Sequence, residues 1–365
     1  MKATMDKRHI QNQLAAINRL NAKDETIIRF MEVCGTHTHA IGKSGIRQLL
    51  PDNIQLISGP GCPVCVTHEQ EIEAFLSLAA RENVVIATFG DMLRVPCSRG
   101  SLDEARGEGA RVKVVYSPLE ALSLAERNKH LEIVFLGVGF ETTAPLVAAS
   151  MIKAQKNGLK NFSVYSLHKV IPPALEVLLL DERVQLNGFI LPGHVSTIIG
   201  EKPYQFIAER FNKGGVIAGF APHDILEAII MLLKQRNDVK PEITIQYNRG
   251  MNADGNPAAR QVLEQVFVID DAWWRGLGML KNSGLRIREE LQELDAAKKF
   301  GIVVKDYTEE VPDNGCACGE ILKGIKLPGD CALFGKKCTP SYPIGPCMVS
   351  SEGTCAAYYR YSQYC

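Results

Sequence analysis

The chain has 365 residues, 46% of them hydrophobic and 22% charged, with 41 basic side chains balancing 41 acidic ones. That length has room for two or three domains of roughly 150 residues each, and the composition excludes disorder, collagen and coiled coil as the main state. Balanced charge excludes a global field toward nucleic acid or an anionic membrane, and no apolar run approaches the roughly 18 residues that span a bilayer, so a cytoplasmic protein is expected.

The first predicted element is the apolar run Ile27–Val33, which reads as a strand leading into Cys34-Gly35-Thr36-His37-Thr38-His39. A thiolate and two imidazoles within six residues form a donor set suited to iron or zinc. The competing reading is a buried cysteine with His and Thr capping a helix. A second strand, Ile54–Ser58, runs into Gly59-Pro60-Gly61-Cys62-Pro63-Val64-Cys65. Thr67-His68-Glu69-Gln70 has capping-box spacing, and Ile72, Phe75, Leu76 and Ala79 follow at helical intervals, so a helix is predicted just after Cys65. Thiols at a helix N-terminus are biased toward thiolate, and this pair can close a disulfide or share a metal. No Lys-Ser/Thr follows, which argues against a nucleotide loop.

Further strands are predicted at Val84–Phe89, Val112–Tyr116, Ile133–Val138, Phe162–Leu167, Gly188–Leu191 and Val216–Phe220, alternating with amphipathic stretches. That alternation predicts an α/β fold with mainly parallel sheets. Asp91 and His194 stand at strand ends, where open α/β sheets place ligands, although either residue also suits a helix cap. Gly137-Val138-Gly139-Phe140-Glu141-Thr142 lacks the third glycine of a phosphate turn and reads as a tight corner. A helix follows to Gln155, with Thr143 as cap, Pro145 in the first turn and Gly158 past the end. Two lobes are expected to divide near Ser117 to His130, giving domains 1–125, 126–240 and 241–365. The last region holds a strand at Ile243–Tyr247, a helix at Ala258–Val266, and Trp273 and Trp274 as core or interface residues.

Of the eleven cysteines, four are Cys34, Cys62, Cys65 and Cys97, and seven crowd the last fifty residues. Met1 to Leu20 carry charges and amides instead of the apolar leader of a secreted disulfide framework, so metal or redox chemistry is expected. From Pro312 the sequence is rich in Gly, Pro and Cys, with periodicity only at Ala356–Tyr361; such a segment needs a metal, a disulfide or docking to fold. Cys316, Cys318, Cys331, Cys338, Cys347 and Cys355 offer six thiols before the terminal Cys365. Four thiolates hold a cubane iron–sulfur cluster or a structural zinc. The long irregular gaps favour a cluster wrapped by loops, and the surplus pair could form a redox-active disulfide. Cys97 and Cys365 have no evident partner.

These motifs, with Phe89-Gly90-Asp91-Met92, the run Cys331 to Cys338 and Met348-Val349-Ser350-Ser351-Glu352-Gly353-Thr354-Cys355, resemble the HypD family of [NiFe]-hydrogenase maturation proteins. The resemblance implies two Rossmann-like lobes plus a cysteine-rich C-terminal [4Fe–4S] region. It also implies an assembly scaffold with redox activity, on which a mononuclear iron acquires two cyanides and one carbon monoxide. Cys34 would hold that iron together with a cysteine of the small partner HypC, with His37 nearby, and HypE would donate cyanide transiently. Cys62 and Cys65 would be a thiol/disulfide pair facing the same cleft, and Asp91 and Glu352 its polar residues. Cys316, Cys331, Cys338 and Cys355 would bind the cluster, with Cys318 and Cys347 as the neighbouring redox pair. The stretch Pro96-Cys97-Ser98 departs from the small non-thiol residue expected of the family. The competing class is a free-standing iron–sulfur thiol-disulfide oxidoreductase in which Cys34 is structural; a structural zinc protein is the third reading.

Overall fold

The computed structural model describes residues 2–22, 26–304 and 315–361, with the side chains of residues 2–6 left out. The expectations for Pro312 to Asn314 and for Cys365 lie outside the described residues. Nine strands form two parallel sheets. The first sheet contains β1 (Ile28–Glu32), β2 (Ile54–Ser58), β7 (Gly188–Pro192), β8 (Gly214–Ala218) and β9 (Ile243–Ile245), in the order β2-β1-β7-β8-β9. The second contains β3 (Val84–Thr88), β4 (Val112–Val114), β5 (Glu132–Gly137) and β6 (Phe162–Ser166), in the order β4-β3-β5-β6. All pairings within these two sheets are parallel. Helices cover both faces, so the strands read as near-continuous apolar runs: every residue of β7 and β8 is buried, and in β5 all but the first.

The expected strands are present, most of them one or two residues shorter at the C-terminal end, where the chain turns out into the loops that carry function. The expected lobe boundary is different. The chain lays down β1 and β2, builds the entire second sheet, and then returns to add β7, β8 and β9. Residues 117–130 therefore fall inside the second sheet, between β4 and β5. There the helix Pro118–Arg127 buries Ala121, Leu122 and Ala125 against Ile133 and Phe135. Periodicity along the chain identifies strands but not their partners, which is why the interleaving was invisible in it.

An antiparallel hairpin, β10 (Phe267–Trp274) and β11 (Gly278–Ile287), covers the free edge of the second sheet through bridges Lys169 to Gly284 and, just beyond it, Val164 to Asp295. Trp274 is fully buried, donates Nε1–H to Ser283 Oγ at 2.9 Å and stacks on Phe140. The C-terminal segment has helices Cys318–Leu322 and Thr354–Tyr361 and folds by docking. A Cβ on Gly324 would stand 2.6 Å from Ile57, and one on Gly42 2.8 Å from the Tyr361 ring. Among the described residues no helix is long and apolar enough to cross a membrane.

Candidate functional site

Counted within each sheet, the strand order is the same, 2-1-3-4, extended by a fifth strand in the first. Such sheets place ligands at the carboxyl ends of the strands where the order reverses, here between β1 and β7 and between β3 and β5. The first residues beyond those strand ends include Cys34 after β1, His194 after β7, Asp91 after β3 and Glu141 after β5.

The two thiol loops cross at the end of β1. Cys34 is the N-cap of the helix Gly35–Ser44, and Gly35 N–H donates to Gly61 O at 3.1 Å while Gly59 N–H donates to Glu32 O at 2.9 Å. The crossing is so close that a Cβ on Gly61 would lie 1.4 Å from Val33 O, so only glycine fits. One residue on, Cys62 caps the four-residue helix Pro63–Val66 and is joined to Cys65 by a disulfide, with both cysteines buried. The predicted helix begins later than the spacing implied. Thr67 is extended, ending the short helix with its hydroxyl on Pro63 O at 2.8 Å, and the capping box of Glu69–Leu76 is formed by His68 and Glu71.

Glu352, from the C-terminal segment, joins the two reversal points. Its Oε1 accepts the Thr36 hydroxyl at 2.7 Å, and a Cβ on Gly35 would stand 2.5 Å from its carbonyl oxygen. Burial, and then the Glu352 carboxylate, push the Cys34 thiol up to about 11 against the opposing hydrogen bonds of Thr36 and His37. The Asp91 carboxyl is also raised, by desolvation first and by Glu352 second, with Ser350 hydrogen-bonded to it. Cys34 and Asp91 thus both face the Glu352 carboxylate, which opposes the ionisation of each, an arrangement that a cation relieves.

The two histidines of the Cys-Gly-Thr-His-Thr-His motif do not join Cys34 in a ligand set. Residues two apart on a helix point about 200° apart. His37 is fully buried, pairs through Nε2 with Gly219 O at 2.9 Å and stacks on Phe220. Burial lowers its pKa to about 4, so the ring is neutral. His39 pairs with the Tyr361 hydroxyl at 3.1 Å. Exposed His194 also packs on Phe220, tilted, with ring centroids 4.2 Å apart, and desolvation lowers its pKa against the opposing charge of Glu352. Glu32, unnoticed in the sequence because it ends an apolar strand, is wholly buried under the loops. It accepts from Ser58 Oγ at 2.8 Å and pairs with Arg47, whose guanidinium lies over the Tyr358 ring.

The C-terminal thiols gather in one place. The sulfurs of Cys318 and Cys347 lie 2.6 Å apart, and a Cβ on Gly345 would stand 2.6 Å from Cys316 Sγ. Cys331, Cys338 and Cys355 are buried, and Cys338 Sγ accepts from Ile344 N at 3.3 Å. The Cys355 thiol is pushed up by burial first, then by Cys318, Cys316, Cys338 and Cys331. Among the described residues no group of three or more His, Cys, Asp or Glu donors is arranged to hold a metal ion as it stands. The donor set nonetheless suits a soft metal centre: four thiols oppose the ionisation of Cys355, and the charge of Arg275, whose Nη2 is buried with no hydrogen-bond partner, acts on Cys316, Cys318 and Cys347. Cys97, half-buried, donates its thiol to Gly100 O at 3.1 Å and takes no part in either cluster.

A family model described as HypD, hydrogenase formation hypA family, matches residues 8–362. The chain is 46% identical to the hydrogenase maturation factor HypD of Azotobacter vinelandii over 358 residues, covering 96% of this chain and 94% of that protein. It is 44% identical to HypD of Rhodobacter capsulatus over 346 residues, 94% of this chain and 92% of that one. To HypD of Cupriavidus necator it is 42% identical over 364 residues, 97% and 95% of the two chains. With a match across nearly its whole length, the chain belongs to the HypD family of hydrogenase maturation factors.

Proposed function

We propose that this chain is the scaffold on which a mononuclear iron, its cargo, acquires two cyanides and one carbon monoxide for [NiFe]-hydrogenases. The iron is held by Cys34 with a cysteine of HypC, and cyanide arrives as a thiocyanate on the C-terminal cysteine of HypE. The observation that carries this reading is the convergence of Cys34, Asp91 and Glu352, with Gly35, next to Cys34, hydrogen-bonded to Gly61, next to the Cys62–Cys65 disulfide. Soft thiolates suit the electron-rich iron(II) that binds cyanide and carbon monoxide. A proton held on Cys34 until a cation displaces it keeps the empty thiol quiet.

Cleaving a thiocyanate, RS–CN, to RS⁻ and CN⁻ takes two electrons. The reduced Cys62 and Cys65 thiols supply both, closing their S–S bond and releasing two protons. Cys316, Cys331, Cys338 and Cys355 are assigned to a [4Fe–4S] cluster, with Cys318 and Cys347 as the adjacent redox pair. When bound, the cluster supplies the single electrons that restore the dithiol.

The Cys62–Cys65 disulfide also favours a second reading, a free-standing thiol-disulfide oxidoreductase. Infrared spectra of anaerobic complexes with HypC separate the two. In the scaffold reading, Cys34→Ala abolishes the cyanide and carbon monoxide bands and the Cys62→Ala/Cys65→Ala pair loses cyanide transfer. Wild-type complexes that turn over disulfides but show no cyanide or carbon monoxide bands establish the oxidoreductase, and bands that persist in Cys34→Ala refute Cys34 as the iron ligand.

A further inference from the structure

The turn Arg275-Gly276-Leu277, at the tip of the β10–β11 hairpin, sits between the two thiol centres. On one side it grips the chain that follows Cys65. Arg275 N–H donates to Val66 O at 2.8 Å, its Nε donates to Thr67 O at 3.0 Å, and its Nη1 lies 3.6 Å from Glu69 Oε2. Thr67 and Trp274 are bridged as an antiparallel pair, so the turn is fixed in place. On the other side Gly276, at φ 77°, packs on Gly319, next to Cys318; a Cβ on Gly276 would stand 2.4 Å from Gly319 Cα. A side chain does not fit there.

That leaves Nη2, a buried donor of a permanently charged group with no hydrogen-bond partner. Buried cationic N–H groups without an acceptor are rare because they are costly, and an orphan of this kind implies an anion in the functional state. Nε is taken by Thr67 O and Nη1 faces Glu69, and the turn packs on Gly319 next to Cys318, which directs the missing acceptor toward the C-terminal thiols. The guanidinium charge acts there on Cys316, Cys318 and Cys347, and on the other side on Cys97 and His68.

We propose that Arg275 is a positioning residue for the C-terminal iron–sulfur centre, donating Nη2–H to a sulfur anion of the cluster or its thiolates while its Nε holds the Cys62–Cys65 segment against it. This rests on the cluster assignment above. A cationic donor on a cluster sulfur favours the reduced state, so Arg275 sets the potential at which the centre passes electrons to the adjoining disulfide.

The test uses the full chain purified without oxygen, with iron, sulfide and the visible spectrum recorded first. In Arg275→Gln the one-electron reduction equilibrium falls about tenfold, a shift of about 59 mV downward. Arg275→Lys, which keeps the charge, recovers most of it. On the wild-type protein, pulsed electron paramagnetic resonance of the reduced cluster shows a weak nitrogen coupling that changes when arginine alone is labelled with nitrogen-15. This readout does not depend on how any variant folds. A cluster whose nitrogen couplings ignore the arginine label, or whose potential is the same in Arg275→Gln, overturns the proposal and leaves the cluster assignment standing. Wild-type protein without a cluster overturns both.

Discussion

Cys34 should behave as a thiol held protonated far into the alkaline range. Burial and Glu352 move it from an ordinary 9.0 to about 11. At pH 8 a thiol with pKa near 9 is about 10% thiolate and one near 11 about 0.1%, a roughly 100-fold deficit in the reactive form. The more basic thiolate is intrinsically more nucleophilic, by roughly sixfold over two pKa units at a Brønsted slope of about 0.4, so the net prediction is labelling about 15-fold slower. Peptide-resolved mass spectrometry of iodoacetamide labelling between pH 7 and pH 11, on metal-free protein with Cys62–Cys65 oxidised, measures it. Glu352→Gln removes the carboxylate charge, the second cause of the shift, and keeps an acceptor for Thr36, so labelling should accelerate and the profile move to lower pH. Iron binding must then release the Cys34 proton, and its affinity should rise about tenfold per pH unit below the thiol pKa. A wild-type profile centred at or below 9, or one unmoved by Glu352→Gln, refutes the reasoning that the cleft keeps this thiol neutral.

Gly61→Ala should cost about 3 kcal/mol or more of stability, beyond ordinary overpacking, because the atom it meets is the backbone oxygen of Val33. Gly107→Ala, which meets nothing within 4 Å, should stabilise by about 0.5–1 kcal/mol. Chemical denaturation compares the two, and equal midpoints would contradict the crossing geometry. Glu141 is buried, with Oε1 accepting from Ile171 N–H and Oε2 unpartnered, and burial raises it from 4.5 to about 7. The folded state therefore holds this proton more tightly than the unfolded one. Its contribution is complete below pH 4.5 and is lost as pH rises through about 7. Between these limits Glu141→Gln should gain about 3 kcal/mol on the wild type, and a pH-independent difference between them would count against it.

The α/β class was legible because parallel strands buried on both faces leave unbroken apolar runs such as Gly188–Pro192, and the loops after them carry the conspicuous residues. Cys34, Asp91 and Glu352 were each visible as motif residues, and the fold brings them to one cleft. What stayed hidden is tertiary. Nothing in the local pattern says that β1 and β7 are neighbours across an inserted sheet, and the Cys-Gly-Thr-His-Thr-His spacing reads as a ligand set until the helix turns His37 into the core. The β10–β11 hairpin escaped notice because its partly exposed strands alternate weakly, and with it went Arg275, an unremarkable charge in sequence that becomes a buried orphan donor in space. Glu32 was concealed in the same way, as one polar residue at the end of an apolar strand.

The most direct test of the central claim is iron, zinc and acid-labile sulfide per chain, on protein purified strictly without oxygen, alone and co-expressed with HypC. The account predicts about four iron and four sulfide for the chain alone, the stoichiometry of a cubane cluster, and about one further iron with HypC that disappears in Cys34→Ala. About one zinc and no sulfide, the signature of a structural site, would contradict it.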